Sequence, residues 1–297
     1  MLGAGEGYSL LGAQTVPTGF GNNQSELNAA YCKSNGAGGY QLMLTGNLES
    51  GGGYNGMVIF LDSRPGGGFG TNLGGGYRQA GSFGGARTDD WGNDVDGGFG
   101  IDAREASILD FNPDYAIAIA HDGTYYTNIM DLTLPNDPSS DPARDYYMGS
   151  NATNGGSTTQ NYLGNAARPI SSAFNNTNSV GVNGYDFGTP PGALGNPLDS
   201  TTGLELDLSA GFLASPFGFQ VRMMAFVTNG GGDFLSNQFL PGLPGDPGNL
   251  GTPGGLGGSP LFDARTFAGT RHFLVPEPTS LALLGLAAAA VGLRRRG

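Results

Sequence analysis

The chain has 297 residues, of which 56 are glycine, 25 are Asp or Glu and only 13 are Lys or Arg, for a formal net charge of −12. Glycine at this density destabilises long helices, and so few cations could not neutralise a row of phosphates, so composition argues against a helical protein and against nucleic-acid binding. Cys32 is the only cysteine, which excludes an intrachain disulfide and a cysteine-based structural zinc site. The 17 Phe residues suffice for a core, and the many turn-forming residues predict an all-β protein.

The N-terminal segment, residues 1–25, is predicted to be an irregular leader. It shows neither the cationic region nor the apolar run of a secretory signal peptide, so either the chain is cytosolic or an export signal lies upstream of Met1. The C-terminal tail favours the second alternative. The stretch SELNAAY, residues 25–31, reads as a short helix or as the approach to the first strand.

Two strands are predicted next, and we expect them to pair as neighbours. GGYQLMLTGNLES, residues 38–50, alternates apolar and polar positions and ends in a Gly46-Asn47 turn. YNGMVIFLDS, residues 54–63, carries a tight turn at Asn55-Gly56 and then a buried strand, MVIFLD.

A glycine-rich loop is predicted over residues 64–100, and it holds the candidate ligand sites. Asp90, Asp94 and Asp96 offer the hard oxygen ligands that calcium prefers, although their spacing departs from the EF-hand pattern. The alternative is a solvated acidic loop. Trp91 and Tyr77 are candidates for stacking on sugar rings, and the alternative for them is packing in the core. No other cofactor is expected.

The clearest hairpin spans residues 114–132, where Asp122-Gly123 suits a type I′ turn between two β-prone runs. A polar loop is expected at 135–198. Two strands follow it, in TTGLELDLSAGFL and FGFQVRMMAFVTN, and a further loop is expected at 230–258. The stretch ARTFAGTRHFLV supplies a last strand. His121 and His272 lack any catalytic or metal-binding motif around them, so we interpret both as structural.

These elements predict one antiparallel β-sandwich, jelly-roll-like, over residues 26–274, with long loops at 64–100, 135–198 and 230–258. The order of LMLTGNL, VIFLDS, PDYAIAI, GLELDLS and QVRMMAFV resembles extracellular β-sandwiches of the DOMON and family-nine carbohydrate-binding-module type. This resemblance implies a surface domain that binds a glycan or another small extracellular ligand.

The tail, residues 275–297, reads VPEPTSLALLGLAAAAVGLRRRG. A helix over the 13 apolar residues 281–293 would span only about 20 Å, which is short for a hydrocarbon core of about 30 Å. The cations after it would stay cytoplasmic and leave the body outside. The membrane-facing positions are Leu281, Leu283, Leu284, Leu286, Val291 and Leu293, and the terminal cations are Arg294, Arg295 and Arg296.

The order of Pro276-Glu277-Pro278, a short apolar helix and a terminal arginine cluster resembles the PEP-CTERM protein-sorting signal of exported bacterial proteins. The resemblance implies export, at least transient membrane anchoring through the helix, and processing by an exosortase-type membrane protease. It also implies a cell-surface or extracellular-matrix protein of bacteria that make exopolysaccharide. The two prolines would hold the motif extended outside the bilayer.

The body is expected to bind or to serve a structural role, in association with polysaccharide, and not to be an enzyme. The alternative is a secreted polysaccharide-active hydrolase that uses a pair of the loop carboxylates. A third alternative is a purely structural protein that binds no ligand.

Overall fold

A computed structural model gives the structure of the protein, and its described residues form strands with very little helix. They are 6–21, 24–49, 55–65, 107–108, 111, 113–121, 124–131, 146–152, 158–161, 169–181, 195–214, 220–229, 234–245, 247–251, 262–263, 269 and 271–276. The strands among them are β1 (Ser9–Ala13), β2 (Glu26–Ser34), β3 (Tyr40–Asn47), β4 (Gly56–Asp62), β5 (Ser107–Ile108), β6 (Tyr115–His121), β7 (Tyr125–Asp131), β8 (Tyr146–Ala152), β9 (Thr158–Asn161), β10 (Pro169–Phe174), β11 (Gly203–Leu208), β12 (Val221–Thr228), β13 (Leu235–Leu240), β14 (Phe262–Asp263) and β15 (Phe273–Val275).

Two antiparallel sheets form the sandwich. The first sheet has the order β1-β2-β3-β11-β10-β9, and the second has the order β13-β12-β4-β6-β7-β8, with β15 also paired to β12. A short parallel pair, β5 with β14, stands apart. The described helical residues are one turn of α-helix, α1 (Ala210–Leu213), and a 3-10 turn at Pro197–Asp199. The predicted all-β antiparallel architecture is confirmed, and the predicted C-terminal helix lies outside the described residues.

The main core lies between the two sheets. Alternate side chains of β10 face it: Ile170, Ser172 and Phe174 are buried, and the residues between them are half-buried. Leu42, Leu44 and Leu206 continue this inner face across the sheet. β10 and β11 thus show the period-2 pattern of strands with one face on the core and one toward solvent, whereas seven of the eight residues of β3 are buried.

In the second sheet, β4, β12 and β13 are buried on both faces. Met57, Ile59 and Leu61 of β4 belong to the core between the sheets, yet the intervening Val58 and Phe60 are only 1% and 2% exposed. On that outer face Phe226 lies 5.9 Å from Phe60 and 5.3 Å from Phe239, centroid to centroid. A second aromatic cluster therefore exists on the far side of this sheet.

The predicted hairpin at 114–132 is confirmed. β6 and β7 pair antiparallel from Tyr115 opposite Asp131 to His121 opposite Tyr125. Asp122 and Gly123, which the sequence assigns to a type I′ turn, lie outside the described residues. The strands predicted in GLELDLS, QVRMMAFV and RHFLV are present as β11, β12 and β15.

The expected pairing of β3 with β4 is wrong, because these strands belong to different sheets. Gly46 is not in a turn: it pairs with Leu27 inside the sheet at a register shift of β2. Asn55 is buried and donates its amide to the Ser25 hydroxyl at 2.8 Å, so it anchors the start of β4 and does not form a tight turn.

Three segments that the sequence predicts to be irregular contain strands. The leader holds β1, which pairs with β2, and the segment 135–198 holds β8, β9 and β10. The loop predicted at 230–258 holds β13, whose six residues are all buried. SELNAAY contributes to β2 and not to a helix. The domain partition itself remains a prediction.

Candidate functional site

The loops and strand ends at one end of the first sheet form a polar pocket of about 250 Å³. Antiparallel pairing brings the start of β2, the end of β3, the start of β11 and the end of β10 to this end of the sheet, in that order. Four carboxamides, two hydroxyl groups and one leucine line the pocket, and we call it the amide pocket: Gln24, Asn47, Asn176 and Asn178, with Thr177, Ser179 and Leu48.

Two of these amides hold the pocket walls in place. Asn176 accepts from the backbone N–H of Leu48 and donates to its carbonyl, both at 2.7 Å, so its side chain imitates a paired strand. It also donates to the Tyr125 hydroxyl at 2.6 Å, which ties the first sheet to the second. Asn178 donates to the buried Glu26 carboxylate and to the carbonyl of Val180, both at 2.6 Å.

The other two amides keep unused hydrogen-bonding atoms. Gln24 is 6% exposed, and its Nε2 donates to no described residue. Asn47 is 3% exposed; its Nδ2 donates to the Asn178 carbonyl at 3.2 Å, but its Oδ1 accepts from no described residue. Both atoms are covered by their surroundings. The pocket is a candidate binding site because its lining is polar and uncharged and because Thr177 and Ser179 at its rim are exposed.

A pair of buried carboxylates lies elsewhere, at the ends of β4 and β6. Asp62 is 2% exposed and binds Arg222 at 2.8 Å; Asp114 is fully buried and accepts from the backbone N–H groups of Ser63 and Arg64, each at 2.7 Å. Burial and the Asp114 charge raise the pKa of Asp62 to about 6, against the opposite effect of Arg222. A general acid must reach its substrate, and these carboxyls are covered, so we assign them a structural role.

The last described part of the chain, β15 and Pro276, lies at the edge of the second sheet, and we call it the C-terminal junction. β13 and β15 both pair with β12, β15 along its first half through Val221–Val275 and Met223–Phe273. A Cβ on Gly12 would lie 2.6 Å from the ring of Phe273, so glycine is required there for β1 to pass β15. Val275 is fully buried, whereas Pro276, the next residue, is exposed. The last described strand therefore ends directly before the sorting motif predicted from the sequence, Pro276-Glu277-Pro278.

The structure places few of the residues that the sequence singles out. Tyr77, Trp91, Asp90, Asp94 and Asp96 lie outside the described residues, as does all of the tail after Pro276. Within the described ranges no group of three or more His, Cys, Asp or Glu side chains is arranged to hold a metal ion. The calcium and stacking sites remain predictions.

The two histidines have simple positions. His272 packs edge-on against Phe111, with a centroid separation of 5.4 Å, which fits the structural interpretation. His121 ends β6. His272 is not among the residues that line the amide pocket.

Sequence reasoning missed the amide pocket. Gln24 falls in the segment that the sequence assigns to a leader, and the three residues 176–178 fall in a predicted polar loop. The available signal is the asparagine-rich run FNNTN, residues 174–178, directly after an alternating stretch. Such a run is typical of loops, so its sequence does not distinguish a binding site from a turn.

The comparisons with known proteins concern the tail. Residues 274–296 match the model of the PEP-CTERM protein-sorting motif, which supports an exported protein that an exosortase-type membrane enzyme sorts at the envelope. No curated protein and no solved structure matches the chain. The resemblance of the body to DOMON and carbohydrate-binding sandwiches thus stays a prediction. Among the described residues there is no helix with the length and apolarity to cross a membrane, and residues 281–293 are not among them.

Proposed function

We propose that this chain is a surface protein of the bacterial envelope whose PEP-CTERM tail is processed by an exosortase-type protease and whose sandwich body binds polysaccharide without cleaving it. The observation that carries the sorting part is the motif match at 274–296, which begins within β15, the last described strand, and continues past its buried Val275. A protease that reads the motif would therefore meet the exposed Pro276 directly after this strand.

The binding role of the body is supported by the character of its described sites. The carboxylates Asp62 and Asp114 are covered and engaged with arginine and backbone groups, so they do not form an open catalytic pair. The amide pocket, in contrast, is lined by neutral polar side chains, and Thr177 and Ser179 at its rim are exposed. Orienting a ligand by a few placed polar groups is what a binding site requires.

Sorting is tested with Glu277→Ala, which alters the acidic residue of the motif and leaves β15 untouched. The full chain, carrying an export signal fused ahead of Met1, is expressed in an exosortase-bearing bacterium and in its exosortase-deletion strain. We expect mass spectrometry to show loss of the tail only in the first strain. The Glu277→Ala protein should keep its tail in both strains and fractionate with membranes.

The matched control is Glu6→Ala, which removes a half-exposed acidic side chain at the opposite end of the chain. It should be processed like the unaltered protein. An uncut chain that stays in the soluble cytoplasmic fraction of both strains would contradict the sorting proposal. Release of reducing sugar from polysaccharides by the purified protein would contradict the non-catalytic role and support a hydrolase.

A further inference from the structure

We propose that the sorting enzyme cuts this chain between Pro276 and Leu281, because β15 stays paired with β12 while the tail is cut and remains in the mature protein. This inference rests on the tail processing proposed above and is independent of what the body binds. It gives the position of the cut, which the motif match over residues 274–296 leaves open.

The sorting motif and the second sheet share two residues. The family match begins at Leu274, and both Leu274 and Val275 belong to β15. They lie opposite Arg222 and Val221 of β12 in an antiparallel pair. An enzyme that bound every residue of the match would have to take these two residues out of the sheet first.

The side chains of β15 oppose its removal from the sheet. Val275 is fully buried in the core between the sheets, together with Val221 opposite it. Phe273 packs against the same core, and a Cβ on Gly12 of β1 would lie 2.6 Å from its ring. A short terminal strand opens readily when few apolar contacts hold it, but opening β15 would expose both of these side chains to water.

The residues directly before β15 are held as well. Arg271 donates to the carbonyl of Gly242 at 2.6 Å. The His272 ring lies edge-on against Phe111, which is buried. The chain is thus in contact with the rest of the fold at every residue from 271 to 275.

The pairing with β12 ends where the first proline of the motif begins. Pro276 has no backbone N–H, so it cannot donate a hydrogen bond to β12, and it is exposed. Proteolytic cuts fall where the backbone is exposed and belongs to no strand or helix. In the folded protein, Pro276 is the first residue after β15 that meets this condition.

The apolar segment of the tail, which begins at Leu281, gives the other limit. Hydrolysis of a peptide bond breaks its C–N bond, and one water molecule supplies the hydroxyl group of the new carboxyl end and the hydrogen of the new amine. The hydrocarbon core of a bilayer holds almost no water, so a bond inside an embedded segment is a poor substrate. The bonds that remain are those that join residues 276–281.

The alternative is an enzyme that acts before the body folds, or one that first pulls β15 out of the sheet. In either case β12 sets no limit, and the bonds within β15 are as open to the enzyme as those after it. The experiment therefore presents the enzyme with a chain that is already folded.

The test locks β15 to β12 with a disulfide, through Val221→Cys combined with Val275→Cys. Residues directly opposite each other in antiparallel strands lie close enough for such a bond. The full chain, with an export signal fused ahead of Met1, is accumulated in the exosortase-deletion strain, and exosortase expression is then induced. Before induction, titration in denaturant should find one free thiol, that of Cys32.

We expect the accumulated chain to be cut whether or not it is locked. Mass spectrometry should find the new C-terminal residue within 276–280 in the unaltered and in the locked protein, and both should be cut at the same rate. The matched control is Val275→Cys alone, which makes the same change within the motif match but cannot form the lock. It should be cut at the same position and rate.

The outcomes separate the sorting proposal from the position of the cut. If the unaltered chain keeps its tail when it is made in the exosortase-bearing strain, the sorting proposal fails. If the tail is removed but the mature protein ends at or before Val275, β15 is not retained and the inference is overturned. It is also overturned if the locked chain stays uncut while Val275→Cys is cut, or if Val275→Cys itself is not cut, because the enzyme then takes hold of β15.

The unaltered chain gives a further check that does not depend on the disulfide. Its accumulated precursor should be cut after induction, within residues 276–280. A folded precursor that stays uncut, while chains made together with the enzyme are cut, would show that the enzyme acts before folding and that β12 sets no limit.

Discussion

Two regions of this sandwich bury their strands in different ways. In the part of the first sheet formed by β10 and β11, burial alternates along the strands, with one face on the core and the other toward solvent, whereas seven of the eight residues of the neighbouring β3 are buried. In the second sheet, every residue of β4 and β13 is buried, and seven of the eight residues of β12 are. The difference teaches that this protein has two apolar layers, one between the sheets and one on the far side of the second sheet.

The candidate site and the last described strand lie on different sheets. The amide pocket lies at one end of the first sheet, between strand ends. The C-terminal junction lies on the edge of the second sheet, through β15 and β12. The candidate binding site and the start of the sorting motif are therefore separate in the fold.

The largest expected loss of stability comes from removing one aromatic ring from either apolar layer, and the two variants allow the layers to be compared. Phe226→Ala removes a ring from the far side of the second sheet, and Phe174→Ala removes one from the layer between the sheets; each side chain is 2% exposed. We expect each to lower the free energy of unfolding by about 3–5 kcal/mol, measured by urea denaturation. Leu10→Ala, at a residue 49% exposed, should change it by less than about 0.5 kcal/mol. A loss below about 1 kcal/mol for Phe226→Ala would show that the far side is not a core.

A smaller effect is expected from the backbone of the first sheet. Gly46 has a φ of 151°, and a Cβ there would run into the carbonyl oxygen of Glu26 on β2. Gly46→Ala should cost about 2–3 kcal/mol, since the strand must shift. Gly36→Ala is the control: its φ is 77° but no atom lies within 4 Å of the added Cβ, so about 1 kcal/mol is expected. If both variants lost the same free energy of unfolding, the close approach of β2 to Gly46 would not be the cause of the loss.

The smallest effect concerns a charge in the second sheet. The pKa of Asp62 is raised to about 6, first by burial and then by Asp114, whereas an unfolded Asp titrates near 3.9. The folded state therefore binds an extra proton between about pH 4 and 6, so the contribution of Asp62 to stability falls as pH rises through that window. The free energy of unfolding of Asp62→Asn, relative to that of the unaltered protein, should therefore rise by about 1–2 kcal/mol as the pH increases from 4 to 7.

The neighbouring cation gives the check on that titration. Arg222 binds Asp62 at 2.8 Å and lowers its pKa, so Arg222→Met should move the pH-dependent loss of stability upward in pH. Parallel stability profiles for Asp62→Asn and the unaltered protein from pH 4 to 7 would show that Asp62 does not titrate there.

The strands that the sequence predicts well are those with uninterrupted or alternating apolar runs. MVIFLD and YAIAIA read directly as the buried strands β4 and β6. The sequence does not predict β13, because three of its central residues are polar: Ser236, Asn237 and Gln238. All three are nevertheless buried, and their polar groups find partners inside the protein. Ser236 donates to the Val227 carbonyl, and Gln238 accepts from the N–H of Leu27. A polar residue reads as exposed unless its partner is known, and these partners are brought close only by the fold.

The candidate site was unpredictable for a related reason. Gln24, Asn47 and Asn178 come from three separate segments, and only the sheet order β2-β3-β11-β10 brings them together. The residues of the tail motif, in contrast, follow one another along the chain, so the motif can be recognised without knowing the fold. There the prediction from the sequence and the family match agree.

While the tail is in place, the end of β15 limits how far the sandwich can lie from the apolar segment of the tail. Between Val275, which is locked in the sheet, and Leu281, where the apolar segment begins, there are five residues, which span at most about 18 Å when extended. As long as that segment lies in a bilayer, the end of β15 stays within that distance of the lipid. Cutting the motif would therefore remove this limit on the distance between the sandwich and the lipid.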